Sequence, residues 1–156
     1  MTTFRIERSI RVAAQPAEIA PMIEDFRRWG SWSPYDKMDP AAERSFSGSA
    51  SGVGAVCEWN GKKSGAGRME ILEIQKDRIV IQLDFKKPFR ASNKADFILA
   101  KQGEDTHVTW AMYGEKTLIS KLLGLFVSVD DMVGKDFEKG LADIKEIAEK
   151  RSGRTN

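Results

Sequence analysis

The segment DMVGKDFEKGLADIKEIAEK, residues 131–150, carries apolar residues at the spacing of an α-helix. Because they recur at intervals of three or four positions, five of them share one helix face: Val133, Phe137, Leu141, Ile144 and Ala148. Asp130 or Asp131 can cap the N-terminus of this helix, where negative charge also suits the helix dipole. The segment therefore predicts a long amphipathic helix that needs an apolar surface to cover.

Upstream of this helix, a series of strands supplies such a surface. Alternating apolar and polar residues predict six of them, at Phe4–Val12, Ala55–Trp59, Gly65–Ile74, Arg78–Phe85, Ala91–Ala100 and Thr106–Tyr113. Because the connections within the later group are short turns, the sheet is predicted to be antiparallel with one apolar face. The predicted class is α+β, with a sheet of about six to seven strands covered by the C-terminal helix.

The chain after the first strand predicts short helices and loops. Gln15–Glu18 opens a helix with proline at its first position, and Pro21 predicts a kink or a division of that helix. We expect Trp29–Tyr35 to form an aromatic loop and Ser47–Gly54 to form a glycine- and serine-rich turn. The pair Asn60-Gly61 is typical of a hairpin turn.

Composition narrows the functional classes. The 156 residues include 25 Lys and Arg, 23 Asp and Glu, one His and one Cys, which gives a net charge of +2. One Cys and one His are too few for a Cys/His zinc site, and a single Cys forms no internal disulfide. The near-balanced charge gives no general argument for nucleic-acid binding.

No leader or membrane span is expected, since no apolar run is long enough for either. The glycine-rich stretches also lack the spacing of phosphate-binding loops. We expect one domain over residues 1–150 and a polar tail over residues 151–156, located in the cytoplasm. No metal, cofactor, nucleic-acid partner or stable membrane insertion is expected.

Five short motifs together resemble one known family. They are Trp32-Ser33-Pro34, Glu58-Trp59-Asn60-Gly61, Asp84-Phe85-Lys86-Lys87-Pro88-Phe89, Thr109-Trp110-Ala111-Met112 and Gly134–Leu141. From about Phe4 to Lys150, the chain resembles the polyketide cyclase/dehydrase-like branch of the START and pollen-allergen (SRPBCC) superfamily. The resemblance implies a helix-grip fold, in which a curved antiparallel sheet wraps around the C-terminal helix. It also implies a hydrophobic cavity between them, which in this family typically holds a lipid-like or aromatic molecule. Because members differ in function, the fold implies a cavity and not a reaction.

Strand alternation assigns the side chains that face this cavity. Eleven residues are predicted to bind the ligand: Trp32, Trp59, Met69, Phe85, Asn93, Phe97, Trp110, Met112, Phe137, Gly140 and Leu141. The alternative is that the aromatic and methionine side chains form a closed core. Gly140 lies inside a helix, where glycine costs about 1 kcal/mol relative to alanine, so it is expected to leave room for a ligand or a close sheet contact.

The same alternation places the strand carboxylates on the outer face of the sheet, away from the cavity. The strands therefore supply no general acid or base, and the remaining candidates for catalysis are Arg8, Asn93 and Asp36. Arg8 could bind a ligand carboxylate or enolate, and Asn93 could orient a carbonyl group. Alternatively, Arg8 extends to the rim and Asn93 bonds to neighbouring backbone. Cys57 and His107 fall on opposite faces, so no thiol–imidazole pair is expected.

The segment Leu118–Val127 is predicted to be helical and is too apolar to be freely exposed. It is expected to form a lid over the cavity, a homodimer contact or ordinary packing against the sheet edge. A further expected use of this segment is docking on a membrane surface, with the help of Lys86, Lys87 and Arg90.

These observations favour a non-catalytic carrier or sensor that binds a small hydrophobic molecule in an internal cavity. A cyclase/dehydratase-like enzyme acting in the same cavity is the first alternative. A protein-interaction or co-chaperone-like module using Leu118–Val127 is the second.

Overall fold

Seven strands pair in one curved antiparallel sheet in the computed structural model, which describes residues 3–115 and 129–153. They are β1 (Thr3–Val12), β2 (Glu43–Gly48), β3 (Ala55–Gly61), β4 (Gly65–Gln75), β5 (Arg78–Lys87), β6 (Ala91–Gln102) and β7 (Asp105–Glu115). The order across the sheet is β1-β7-β6-β5-β4-β3-β2. Consecutive strands from β2 to β7 therefore pair with one another, and β1 forms the edge opposite β2 by pairing with β7.

Helices fill the connection after β1 and end the described chain. They are α1 (Pro16–Glu24), a 3-10 helix (Phe26–Ser31), α2 (Pro34–Met38) and α3 (Val129–Ser152). The α+β class, the antiparallel sheet and the long C-terminal helix are confirmed, and the arrangement is a helix-grip. None of the described helices is long and apolar enough to cross a membrane.

The predicted face of the C-terminal helix is the face that packs on the sheet. Phe137, Leu141, Ile144 and Ala148 are buried, and Val133 is half-buried. Phe137 stacks on Trp110 of β7, with ring centroids 4.0 Å apart and an interplanar angle of 10°. The amphipathic spacing therefore predicted this face correctly.

The predicted aromatic loop is wrong, because the chain over Phe26–Met38 is mostly helical. The indole N–H groups of Trp29 and Trp32 donate to the carbonyl oxygens of Ile23 and Met22, each at 2.9 Å. These bonds fold the segment back onto the end of α1. Their partners are backbone groups, which hydrophobic periodicity does not reveal.

The strand β2 is absent from the predicted set. Five of its six residues are exposed, so it carries no alternation of apolar and polar side chains. It is nevertheless a regular ladder, in which Arg44 pairs with Trp59 and Phe46 pairs with Cys57 of β3.

The hairpin turn after β3 begins later than Asn60-Gly61, which both belong to the strand. Asp39 explains the shift, because its Oδ2 accepts the backbone N–H groups of Lys63 and Ser64, at 3.0 and 2.9 Å. A distant carboxylate therefore fixes this turn.

Outer-face carboxylates lie away from the helix side of the sheet, as predicted. Asp96 of β6 is 1% exposed, accepts the Tyr113 hydroxyl at 3.0 Å and pairs with Arg78 at 3.6 Å. Its two oxygens are thus used within the outer face. His107 lies opposite Arg11 in the β1–β7 ladder, next to the inward residue Val108.

Candidate functional site

A cavity of about 300 Å³ lies between the sheet, the helices after β1 and the N-terminal half of α3. Most of its wall is apolar or aromatic, from Trp29, Cys57, Trp59, Met69, Leu83, Phe85, Ala95, Trp110, Met112, Val133 and Phe137. Its polar lining residues are Ser33, Tyr35, Asp36, Arg44 and Ser64. The C-terminal half of α3 closes tightly on the sheet, since Ile144 and Ala148 are fully buried. This cavity therefore lies at one end of the helix–sheet interface.

Strand register builds the floor of the cavity. Cys57, Met69 and Leu83 are cross-strand partners on β3, β4 and β5, so they form one continuous row. In the next row Trp59 and Phe85 flank Gly67, and their rings meet edge to face with centroids 6.0 Å apart. A Cβ atom at Gly67 would overlap the Trp59 indole. The glycine therefore lets this tryptophan lie across the sheet toward Phe85.

Six of the eleven predicted ligand residues line the cavity: Trp59, Met69, Phe85, Trp110, Met112 and Phe137. Trp32, Phe97 and Leu141 do not line it, because they are packed in the closed core with at most 1% of their surface exposed. Phe97, for example, stacks on Trp110 with ring centroids 5.1 Å apart.

Gly140 is also outside the cavity lining. A Cβ atom there would lie 2.8 Å from Trp110 Cζ3 and 3.1 Å from the Pro34 ring. The missing side chain therefore makes room for protein contacts. Of the two expectations for Gly140, the close sheet contact is the one observed.

Arg8 faces the helix side of the sheet, as its parity predicts, but it does not line the cavity. Its guanidinium lies over Gly134, where a Cβ atom would overlap it. It donates to the Asp130 carbonyl at 3.3 Å and pairs with the carboxylates of Asp130 and Glu138 at 3.5 and 3.6 Å. Arg8 therefore ties β1 to the start of α3 and lies outside the cavity lining, and a catalytic role for it stays a prediction.

Asn93 is likewise outside the cavity lining, although it is only 7% exposed. Its Oδ1 lies against Gly114, its ladder partner on β7, where a Cβ atom would overlap it. The Asn93 side chain fills the space that a side chain at position 114 would occupy. A role for Asn93 in orienting a ligand carbonyl stays a prediction.

Asp36 is the one catalytic candidate that lines the cavity. Its Oδ2 pairs with Arg44 Nε at 3.4 Å, and both side chains are 20% exposed. Burial raises the pKa of the Asp36 carboxyl, while the positive charge of Arg44 lowers it. Arg44 also donates to the carbonyl oxygens of Asp36, Asp39 and Ala42, at 3.2 to 3.4 Å. Its charge and several of its donors are therefore already used by the protein.

The thiol and phenol groups at the cavity are held in their neutral forms. Burial, and secondarily the Asp36 charge, raises the pKa of Cys57 to about 11. Since the thiolate is the reactive form, Cys57 is not an activated nucleophile at neutral pH. Burial and the neighbouring Asp136 carboxylate raise the pKa of Tyr35 well above its ordinary value.

The polar groups near the β3–β4 turn are bonded to one another. The Ser64 hydroxyl donates to Asp39 Oδ2 at 2.9 Å, and the Trp59 indole N–H donates to the Ser64 carbonyl at 3.2 Å. By contrast, the Ser33 hydroxyl is buried and has no hydrogen-bond partner within residues 3–115 and 129–153.

Several lining residues were not in the predicted ligand set: Trp29, Ser33, Tyr35, Arg44, Cys57, Ser64, Leu83, Ala95 and Val133. Leu83, Ala95 and Cys57 were on inward parity, so alternation could have selected them. Arg44 lies on β2, a strand that hydrophobic alternation does not predict. No group of three or more His, Cys, Asp or Glu side chains that could hold a metal occurs in the described part of the chain. The segment Leu118–Val127, and with it the lid, dimer and sheet-edge predictions, lies outside the described residues.

Solved structures of other proteins share this architecture. The Aha1 dimer from Colwellia psychrerythraea is 14% identical, with a TM-score of 0.66 over 94% of this chain and 96% of that chain. The di-domain ARO/CYC protein StfQ from the steffimycin biosynthetic pathway is 12% identical, with a TM-score of 0.70 over 97% of this chain. This chain covers 52% of StfQ. Ara h 8.0201 is 11% identical, with a TM-score of 0.59 over 96% of this chain and 99% of that chain. At these identities the likeness shows the fold alone.

Sequence comparison gives the family. No curated protein sequence matches the chain significantly. The family described as polyketide cyclase/dehydrase and lipid transport matches residues 3–149, which is nearly the whole chain. The chain therefore belongs to the polyketide cyclase/dehydrase and lipid transport family, of the SRPBCC type.

Proposed function

We propose that the protein binds a small hydrophobic molecule in the cavity between its sheet and C-terminal helix, as a carrier or sensor. The observation that carries the proposal is an apolar cavity of about 300 Å³ with only a few polar groups in its wall. Pockets of this size and composition are typical of small-molecule sites. Burial of apolar ligand surface there stabilises the complex by about 25 cal/mol per Å².

The state of the polar lining groups favours binding over turnover. A general acid or base needs a titratable group that can exchange a proton with the substrate. Tyr35 and Cys57 are held protonated, and Asp36 is paired with Arg44. Arg8 and Asn93, which would have supplied substrate contacts, lie outside the cavity lining.

Filling the cavity tests the proposal. Met112 lines the cavity, so Met112→Trp is expected to occupy the ligand's space and weaken binding of the neutral fluorescent probe N-phenyl-1-naphthylamine at least tenfold. The matched control is Leu72→Trp, since Leu72 is on the same sheet but is 39% exposed and outside the cavity lining. Probe titration of both variants, after circular dichroism shows that they are folded, gives the result. Equal probe affinity in folded Met112→Trp and wild type would remove the cavity as the binding site.

A cyclase/dehydratase-like enzyme is the second candidate, and one observation favours it. Asp36 lines the cavity, and burial raises the pKa of its carboxyl, as in many catalytic acids. Asp36→Asn would then abolish turnover of a polyketide-like substrate while leaving its binding within about threefold of wild type. Unchanged turnover in Asp36→Asn would remove this role. The third class, an interaction or co-chaperone-like module, depends on Leu118–Val127, outside the described residues.

A further inference from the structure

The Ser33 hydroxyl is the one fully buried side-chain polar atom of the cavity lining that lacks a hydrogen-bond partner within residues 3–115 and 129–153. The residue is 1% exposed, so its hydroxyl is also shielded from bulk water. Ser33 precedes α2, but its hydroxyl makes no capping bond to that helix. A buried hydroxyl without a partner costs about 1–3 kcal/mol, and groups of this kind are rare in folded proteins.

Several of the other polar lining side chains have a partner in the described chain. Asp36 pairs with Arg44, and the Ser64 hydroxyl bonds to Asp39. The indole N–H groups of Trp29 and Trp59 donate to backbone carbonyl oxygens. The hydroxyl of Ser33 therefore stands apart as a group that a ligand can satisfy.

The charges of the described lining residues restrict the charge of the ligands that the cavity can bind. The described lining has two ionised side chains, Asp36 and Arg44. They form an ion pair, with 3.4 Å between Asp36 Oδ2 and Arg44 Nε. A buried carboxylate from a ligand would find no unpaired cation among the described lining residues. Burying an unpaired charge is far more costly than burying a hydroxyl or carbonyl group that is hydrogen-bonded.

We infer that the cavity selects an uncharged apolar molecule with one hydroxyl or carbonyl group, which bonds to the Ser33 hydroxyl. The inference rests on the proposed binding function and adds the chemical class of the ligand. A serine hydroxyl accepts a bond from a ligand hydroxyl or donates one to a ligand carbonyl. Such a bond requires the hydroxyl to turn toward the cavity by rotation about χ1. Fatty acids and other carboxylates are disfavoured.

Three matched bicyclic probes test the inference by isothermal titration calorimetry at pH 7. They are 2-naphthol, its apolar isostere 2-methylnaphthalene, and 2-naphthoate, which is charged at this pH. Removing the hydroxyl in Ser33→Ala is expected to weaken 2-naphthol binding about fivefold to tenfold and to leave 2-methylnaphthalene binding unchanged or tighter. In the wild type, 2-naphthoate is expected to bind at least tenfold more weakly than 2-naphthol.

Ser64→Ala is the matched control, because Ser64 lines the same cavity but its hydroxyl is already bonded to Asp39. This variant is expected to keep the wild-type ratio of 2-naphthol to 2-methylnaphthalene affinity. Ser33→Ala removes a hydroxyl that bonds to no described group, so its melting temperature is expected to equal or exceed that of the wild type. Ser33→Gly provides a second deletion of the hydroxyl if the alanine variant folds poorly.

The possible outcomes distinguish failure of the inference from failure of the proposed binding function. If folded wild-type protein binds none of the three probes, the proposed binding function is wrong, and the inference fails with it. If the probes bind but the affinity ratio is the same in wild type and in both Ser33 variants, binding stands and the role of Ser33 is wrong. If 2-naphthoate binds as tightly as 2-naphthol, the selection of neutral ligands is wrong.

Discussion

Asp39 is a single residue on which the polar side of the cavity depends. Its Oδ2 accepts the N–H of Lys63, the N–H of Ser64 and the hydroxyl of Ser64, at 2.9 to 3.0 Å. The Ser64 carbonyl in turn holds the indole N–H of Trp59. One carboxylate thus orders the β3–β4 turn and, through it, an aromatic wall of the cavity.

The charge of Asp39 makes this contribution pH-dependent. Hydrogen bonds from Ser64, its backbone N–H first, lower the pKa of the Asp39 carboxyl in the folded protein. A lowered folded-state pKa stabilises the protein above the unfolded-state pKa near 4, and this stabilisation is lost as the pH falls through the folded value. The difference in free energy of unfolding between wild type and Asp39→Asn is therefore expected to be constant above about pH 5 and to shrink toward pH 2. Urea denaturation at a series of pH values measures it, and a difference that stays constant into acid would contradict the assignment.

The interface between α3 and the sheet explains why part of the site escaped sequence analysis. Helical spacing predicts which face of α3 is buried, and strand alternation predicts the inward residues of β5, β6 and β7. Neither pattern distinguishes a side chain that lines the cavity from one that fills the core. Phe97 and Trp110 face inward side by side, yet only Trp110 reaches the open space.

Two other parts of the site depend on contacts between elements distant in sequence. Arg8 is on the predicted face of the sheet. Its guanidinium packs against α3 in the space left by the missing side chain of Gly134. Arg44 belongs to an edge strand with five exposed residues, so its pairing with Asp36 has no sequence signal. These positions follow from tertiary packing, which local patterns do not encode.

Gly140 gives the helix–sheet interface a direct test. Replacing it with alanine gains about 1 kcal/mol of helix propensity, but its Cβ would lie 2.8 Å from the Trp110 ring. Because Trp110 is itself fixed by stacking on Phe97 and Phe137, we expect overpacking to outweigh the gain. Gly140→Ala is therefore expected to destabilise the protein by about 1–3 kcal/mol in urea denaturation.

Gly30→Ala is the control for this substitution, because no atom lies within 4 Å of a Cβ built at Gly30. It is expected to leave the free energy of unfolding unchanged or slightly higher. A Gly140→Ala protein more stable than the wild type would show that Trp110 and Pro34 yield to the added methyl group.

The molecule as a whole combines a closed half and an open half. Toward the C-terminus of α3 the sheet and helix pack without a gap, with Ile144 and Ala148 at 0% exposure. Toward its N-terminus they separate around a cavity of about 300 Å³. The closed half contributes buried apolar contacts, and the open half holds the cavity in which we propose that a ligand binds. Sequence composition alone predicted only that Cys/His zinc sites and disulfides are absent. The position of the cavity became apparent only from the fold.

Methionine methyl groups report directly on where a ligand binds. Met69 and Met112 line the cavity, Met22 is buried outside its lining, and Met38 and Met132 are exposed. Aromatic rings shift the NMR signals of methyl groups in contact with them, so an aromatic ligand labels the methionines that it touches. The described methionines therefore report separately on the cavity, the core and the surface.

The most direct test is a carbon–proton correlation spectrum of methyl-labelled methionines during titration with 2-naphthol. We predict that the signals of Met69 and Met112 shift progressively and saturate, while those of Met38 and Met132 stay in place. Saturating shifts at Met38 or Met132, with Met69 and Met112 unmoved, would contradict binding in the cavity.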